Sequence, residues 1–410
     1  RRYIREMVEL RRVHNQMTRE ILKLSERRRD SEFRLAFMER DAWRYKRRRD
    51  GLASVQGEII GLPADSPSVS EPSTRETAPE ALQEFTRQAP GESDLFSLTY
   101  RLEPARFKPG KGSWVVVPEL MRPEEMRSLV RYCRRNRLNL AVVFHDAIAV
   151  THPELVAEPI RRNHAAYMRH LCRANLVLAV SRQSADDLKH FAQSQGFPIP
   201  PITICANGAS FPGERISLES PPPPPTRAIC VGTIDPRKNH RTLIAALDHL
   251  HQRHPSLDLR VTLIGNAYAG SNDLVRLVRD ACERLPGLEW IQGAEDRELV
   301  EAYRDCHFTI FPSVLEGFGI PVLESMWHGR PCICSTSGTV GESASGGGCA
   351  TVDVTNSDDL ADAILRMARD EPFRRQLTNE AKSRVLRTWR EQALDLVETL
   401  SHAVPRYQIP

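Results

Sequence analysis

Apolar residues recur every three or four positions through residues 1–50, at Tyr3, Met7, Leu10, Met17, Ile21, Leu24, Leu35, Met38 and Tyr45. That period is the 3.5 of a coiled-coil seam, and no Pro or Gly interrupts it before Gly51. The spacing predicts one long helix, an imperfect coil because His14, Arg28 and Ser31 fall on the seam. Packing of this helix on its own body is the plain reading, and self-association into a homo-oligomer is the sharper one. Residues 51–93 lose the pattern. Rich in Pro, Ser, Thr and Glu from residue 63 onward, they predict a solvated linker.

From Asp94 the pattern changes again. Short apolar runs at Ser113–Pro118, Leu140–Phe144, Leu176–Val180 and Ile202–Cys205 read as strands buried on both faces. Between them lie amphipathic stretches at Glu124–Asn136, Arg161–Arg173 and Gln183–Gln193. Five consecutive prolines, Pro221–Pro225, then break the alternation. They predict a stiff polyproline II spacer within 216–226, with a ligand for a proline-binding domain as the other reading. A second series follows, with strands at Ala228–Gly232, Val261–Gly265, Trp290–Ile291, Phe308–Phe311 and Pro331–Cys334. Its helices fall at Arg241–His251, Asn272–Arg284, Arg297–Arg304 and Val322–His328. Strand–helix alternation on this scale predicts α/β architecture, two Rossmann-like domains at 94–215 and 227–385 with a cleft between them.

Charge sharpens this division. Residues 1–50 hold 17 Lys/Arg against 9 Asp/Glu, whereas the rest holds 40 against 44, so the net +4 of the chain resides in the first segment. A basic face there suits peripheral contact with anionic lipid. Arg27-Arg28-Arg29 and Arg47-Arg48-Arg49 lack the aromatic platform of a nucleic-acid binder, and no nucleic-acid partner is expected. No apolar run is long enough to span a bilayer, and no secretory signal is visible. The nine scattered cysteines lack zinc spacing and read as reduced, mostly buried thiols of a cytoplasmic protein. The chain opens on Arg1 rather than Met, as a fragment or processed form does, and a coil and linker ahead of the folded domains predict a longer polypeptide with another activity upstream.

Two clusters carry candidate chemistry. In the first, Phe311-Pro-Ser-Val-Leu-Glu-Gly-Phe-Gly-Ile-Pro-Val-Leu-Glu324, a strand ends at Phe311 and a helix begins near Pro321. Gly317 and Gly319 admit backbone amides to a ligand, and the helix N-terminus offers unpaired N–H groups to phosphate oxygens. Glu316, in the loop, and Glu324, placed in the first helical turn, suit sugar hydroxyls rather than phosphate. The plain reading is a capping Glu and a surface Glu. In the second cluster, Gly232-Thr233-Ile-Asp-Pro-Arg237-Lys238-Asn239, two cations follow a strand, at the end where open α/β sheets bind ligands. They could neutralise a departing diphosphate; the plain reading is a solvated turn.

These two clusters, with Ile264-Gly265 and Ser337-Gly338-Thr339-x-x-Glu342, closely resemble glycosyltransferase family 4, of the GT-B fold. The likeness extends through Val143-Phe144-His145-Asp146, Leu178-Ala179-Val180-Ser181 and Asn207-Gly208, covering roughly 113–400. The variant Thr-Ile-Asp-Pro-Arg-Lys-Asn is similar to mannosyl- and rhamnosyltransferases of bacterial surface polysaccharide synthesis.

The resemblance implies a retaining, metal-independent hexosyltransferase, and no Asp-x-Asp motif occurs in the sequence. Its donor would be a nucleoside-diphosphate sugar, GDP-mannose favoured, with no further cofactor. Its acceptor would be a glycan or lipid-linked glycan on the inner face of the membrane. Glu324 would bind the ribose and Glu316 the transferred sugar. Amides at Phe318, Gly319 and Ile320 would hold sugar and phosphates, and Arg237 and Lys238 the diphosphate. Gly232, Thr233 and Gly265 would complete the donor loops, Ile291 to Gly293 would face the base, and His145 would stand near the reacting carbon. Trp389 and the helix after it, within 386–410, would cross back to the first domain.

The likeness fails upstream. Family members begin with a strand and a glycine-rich loop, but only Glu58–Leu62 and Leu95–Tyr100 are weak strand candidates ahead of Ser113. Thr233 also stands where the family carries a cation. The first domain therefore reads as shortened. Two other readings stay open: a degenerate GT-B assembly protein, and a nucleotide-sugar epimerase of the same fold.

Overall fold

The computed structural model describes residues 35–37 and 111–403, apart from 119, 157, 212–214, 216–222 and 269–270. Two parallel sheets organise these residues, each flanked by helices, in the two-domain GT-B arrangement. The first contains β1 (Leu35–Phe37), β2 (Trp114–Val117), β3 (Asn139–Phe144), β4 (Leu176–Ala179) and β5 (Ile202–Ile204), in that order across the sheet. Strands β2, β3 and β4 are buried at every position, which explains their unbroken apolar runs. Helices α1 (Pro123–Arg135), α2 (Ile148–Thr151), α3 (Glu158–Leu171) and α4 (Arg182–Ser194) make the connections.

Strand β1 corrects the reading of residues 1–50 as one unbroken helix. Leu35, Ala36 and Phe37 pair in parallel with Trp114, Val115 and Val116. The backbone groups of β2 need a partner on that edge, and an apolar triplet satisfies them. The rest of 1–50, the linker at 51–93 and the strand candidates Glu58–Leu62 and Leu95–Tyr100 lie outside the described residues.

The second sheet runs β11–β10–β9–β6–β7–β8. Its strands are β6 (Thr226–Val231), β7 (Leu259–Ile264), β8 (Leu288–Ile291), β9 (Phe308–Phe311), β10 (Cys332–Ser335) and β11 (Cys349–Val352). Helices α5 (His240–Arg253), α6 (Asn272–Arg284), α7 (Asp296–Asp305), α8 (Ile320–Trp327), α9 (Gly338–Ala344), α10 (Ser357–Arg369) and α11 (Glu371–Ser383) surround it. The order reverses between β6 and β9, whose pairing places Ala228 beside Phe308. Connections leave in opposite directions on either side of that point and open a crevice beyond the carboxyl ends of the two strands. Both chemical clusters of the sequence arise there.

The chain ends by returning to the first domain. Helix α12 (Trp389–His402) opens with a capping box between Thr388 and Glu391 and packs Trp389, Ala393, Leu396 and Leu400 on Trp114, Val116 and Leu178. Trp389 Nε1 donates to Ser210 O at 3.0 Å, and Gln392 binds both Gly208 N and Asn207 Oδ1. Seven of the nine thiols are buried and all nine are unpaired. The peptide between Pro224 and Pro225 is cis, and Pro221 and Pro222 lie outside the described residues. Among the described residues no helix is long and apolar enough to cross a membrane.

Candidate active site

The loop after β6 turns on Gly232 and enters a short 3-10 turn, Pro236–Lys238, before α5. Asp235 is 1% exposed and starts that turn, accepting Arg237 N at 2.9 Å. It then grips the Arg237 guanidinium through Nε and Nη2, both at 3.2 Å. Burial opposes the charge of Arg237, but Asp235 and Glu316 outweigh it and push its pKa above the ordinary value. Arg237 is thus a fixed cation. The buried, bidentate carboxylate sets its direction.

The loop after β9 is sewn to this one. Val314 N donates to Arg237 O at 2.9 Å, and Ser313 Oγ lies 3.0 Å from the same oxygen. Lys238 Nζ reaches across to Glu316 Oε1 at 2.5 Å, and Ser313 Oγ donates to the same oxygen. Lys238 also lies 5.0 Å from the centre of the Phe311 ring. Thr339 Oγ1 holds Glu316 O at 2.6 Å. The site residues expected from sequence to meet a diphosphate and a sugar therefore meet each other in this structure.

Helix α8 begins at Ile320, one residue before Pro321, with Gly319 as its N-cap at φ +87°. Glu324 is consequently the fifth helical residue, one position past the first-turn placement expected from the sequence. Its Oε2 accepts the Tyr303 hydroxyl at 3.0 Å. Tyr303 is 1% exposed and stacks on His328, with ring centroids 4.5 Å apart. Burial first, and then the nearby Glu324 charge, raise its pKa, so the hydroxyl remains the donor. Phe318 packs its ring on the first-domain cluster around Trp114, Ala141 and Val143.

The β7 end completes the crevice floor. Gly265 carries φ +154°, and a Cβ there would lie 2.1 Å from Gly232 O and 3.1 Å from Thr233 N. Only glycine lets these two strand ends touch. Gly265 N donates to Ile291 O at 3.0 Å, which brings the end of β8 alongside. Ile291 is 42% exposed there, and Gly293, at φ +73°, has open space around it.

His145 comes from the first domain, at the carboxyl end of β3. Its Nε2 lies 2.9 Å from Pro118 O. A carbonyl only accepts, so Nε2 is the donor in that contact. The second domain touches it directly: a Cβ on Gly317 would stand 2.6 Å from His145 O. Ser184 Oγ donates to that same oxygen at 2.8 Å and lies 3.4 Å from Gly317 O.

Sequence reasoning missed Tyr303, Ser313 and Ser184 as supports of the site. Ser313 stands inside the Phe-Pro-Ser run and Ser184 three residues after an N-cap serine, so position alone could have flagged them. Tyr303 sits within an amphipathic helix, where an aromatic reads as core. Among the described residues no group of three or more His, Cys, Asp or Glu is arranged to hold a metal ion.

Residues 217–384 match the family model of Glycosyl transferases group 1. The chain is 26% identical over 206 residues to the serotype-specific mannosyltransferase WbdA of Escherichia coli, covering 47% of this chain and 25% of that protein. It is also 26% identical over 249 residues to O-antigen chain mannosyltransferase B of Escherichia coli, covering 58% and 64%. The chain thus spans a quarter to under two thirds of the length of these curated relatives. Its fold resembles Anabaena Alr3699/HepE in complex with UDP and glucose, at a TM-score of 0.54 and 18% identity over 70% of this chain and 77% of that one. The crevice at the β6/β9 switch point therefore lies within a stretch, residues 217–384, that carries the Glycosyl transferases group 1 pattern on a GT-B framework.

Proposed function

We propose that this chain is a retaining hexosyltransferase that moves mannose or a similar sugar from a nucleoside-diphosphate donor to a glycan or lipid-linked glycan acceptor in surface polysaccharide synthesis. The observation that carries it is the convergence of Arg237, Lys238, Glu316 and Glu324 around the N-terminus of α8 at the switch point. Two cations and a helix N-terminus in one crevice suit a diphosphate. Two carboxylates beside them suit ribose and hexose hydroxyls. The mannosyltransferase relatives favour GDP-mannose as donor.

In the reaction, the bond from the sugar C1 to the diphosphate oxygen breaks and the acceptor oxygen bonds to C1 on the same face. The acceptor proton passes to the departing phosphate oxygen. Arg237 and Lys238 stabilise charge as it develops on the diphosphate, in a site already arranged for it. Lys238 exchanges its bond to Glu316 for the phosphate, which frees Glu316 to accept from a sugar hydroxyl. Glu324, oriented by Tyr303, takes the ribose. His145 stands near the reacting carbon. No enzymatic nucleophile and no metal enter this scheme.

Hydrolysis of a panel of GDP-, UDP- and dTDP-sugars by the full chain tests it. Slow turnover of one donor, GDP-mannose first, is expected. Release of an epimerised donor with no acceptor would support an epimerase instead.

A further inference from the structure

Within the Ser337-Gly338-Thr339-x-x-Glu342 motif Thr339 braces the loop of Glu316, whereas the glutamate spans the two domains. Glu342, on α9 of the second domain, directs both carboxylate oxygens at the first turn of α4 in the first domain. Its Oε2 accepts Arg182 N at 3.1 Å and its Oε1 accepts Gln183 N at 3.0 Å. These are the first two amides of a 13-residue helix, groups that have no intrahelical acceptor. Ser181, the N-cap, accepts Ser184 N at 3.0 Å, so the cap and Glu342 divide the opening amides between them. In the same first turn, Ser184 Oγ holds His145 O and lies beside Gly317 O. The grip of Glu342 on α4 and the meeting of His145 with the donor loop are therefore two ends of one rigid contact.

We propose that Glu342 is a positioning residue for the transfer step: it clasps α4 and so holds Gly317 of the donor loop against His145 of the first domain. The kinetic part of this rests on the transferase reading above; the clasp itself does not. A carboxylate on two helix-opening amides is charge-assisted and favoured by the helix dipole. It is also exposed to solvent, so added salt weakens it. The clasp binds no substrate. It sets how often the crevice is closed.

Two variants attack it from opposite sides. Glu342→Gln keeps the size but turns an NH2 group toward one of the amides. Arg182→Pro deletes one amide and leaves Glu342 untouched. Proline suits the first helical position, and Ser181 before it is already extended at φ −147°, ψ 166°. Amide hydrogen exchange, GDP binding by calorimetry and sugar transfer are measured on the full chain. In Glu342→Gln, the Arg182 and Gln183 amides should exchange about tenfold faster, the protection of helix-opening amides depending on an outside acceptor. GDP affinity should stay within about twofold while kcat falls about tenfold, the pattern of a lost transition-state arrangement. Arg182→Pro should reproduce the fall in kcat, and the double variant should be no worse than either single one. Unchanged exchange at Arg182 and Gln183, unchanged kcat, or additive losses would overturn the proposal. So would global loss of protection in both variants, which would make the contact one of folding. Absence of transfer by the unaltered chain defeats the transferase reading alone, because amide exchange still reports the clasp.

Discussion

Lys238 and Glu316 stand 78 residues apart in sequence and 2.5 Å apart in the fold, joined across the switch point of the second sheet. Their side chains are only 15% and 13% exposed. Each is the other's countercharge until a ligand carries both. Removing one partner leaves a largely buried charge uncompensated, at about 3–5 kcal/mol. Lys238→Met should therefore lower stability, and adding Glu316→Gln should restore about 1–3 kcal/mol of it in chemical denaturation. Transfer should remain at least about a hundredfold down in both. Recovery of activity together with stability would show that the pair is structural.

Tyr303 offers a subtler test on the other carboxylate. Tyr303→Phe removes the hydroxyl that binds Glu324 but preserves the ring stacked on His328. The donor KM should rise about tenfold with kcat little changed, since the lost bond orients a group used equally in ground and transition states. A fall in kcat at constant KM would contradict that role.

Gly317 tests the seam between domains. An alanine Cβ would press on a backbone oxygen, His145 O, at 2.6 Å, a contact neither side can relieve by rotating a side chain. Gly317→Ala should keep nucleotide binding and lose transfer by about a hundredfold, through misplacement at the reacting centre. Parallel loss of calorimetric GDP affinity would place the effect within the donor site instead.

Acid stability follows from two buried imidazoles. Burial, and then Lys238, hold His240 down at about 4. Burial, and then Arg330 and Arg304, do the same for His328. Between the unfolded value of about 6.5 and the folded value, the unfolded chain binds protons that the native one refuses. Stability is thus fully present above about pH 6.5 and is lost as pH falls toward 4, by up to about 3 kcal/mol for each ring. His328→Phe, which keeps an aromatic ring beside Tyr303, should flatten that acid limb in thermal melts. An unchanged slope would assign the acid loss to other groups.

The elements of both sheets were legible because parallel strands buried on two faces leave unbroken apolar runs. Phe308–Phe311 and Asn272–Arg284 fall where the pattern puts them. Glycines and charges at strand ends also marked the two loops that meet through Lys238 and Glu316. Less visible were features set by distant partners. Leu35–Phe37 fits a helical heptad locally, and only the open edge of β2, 77 positions on, makes it a strand. β11, Cys349–Val352, is half-exposed and follows three glycines, so no apolar run announced it. The amides that Glu342 grips lie 160 and 159 residues upstream, and no local spacing encodes such a contact.

The central claim is that the crevice beyond β6 and β9 binds a nucleoside-diphosphate sugar through Glu324 and its neighbours. Calorimetric titration of GDP-mannose and its UDP counterparts into the full chain and into Glu324→Ala tests it most directly. One donor should bind the full chain, and Glu324→Ala should lose at least about tenfold in affinity, the worth of hydrogen bonds to a charged group. Absence of binding by any sugar nucleotide, or equal affinity in both proteins, would contradict it.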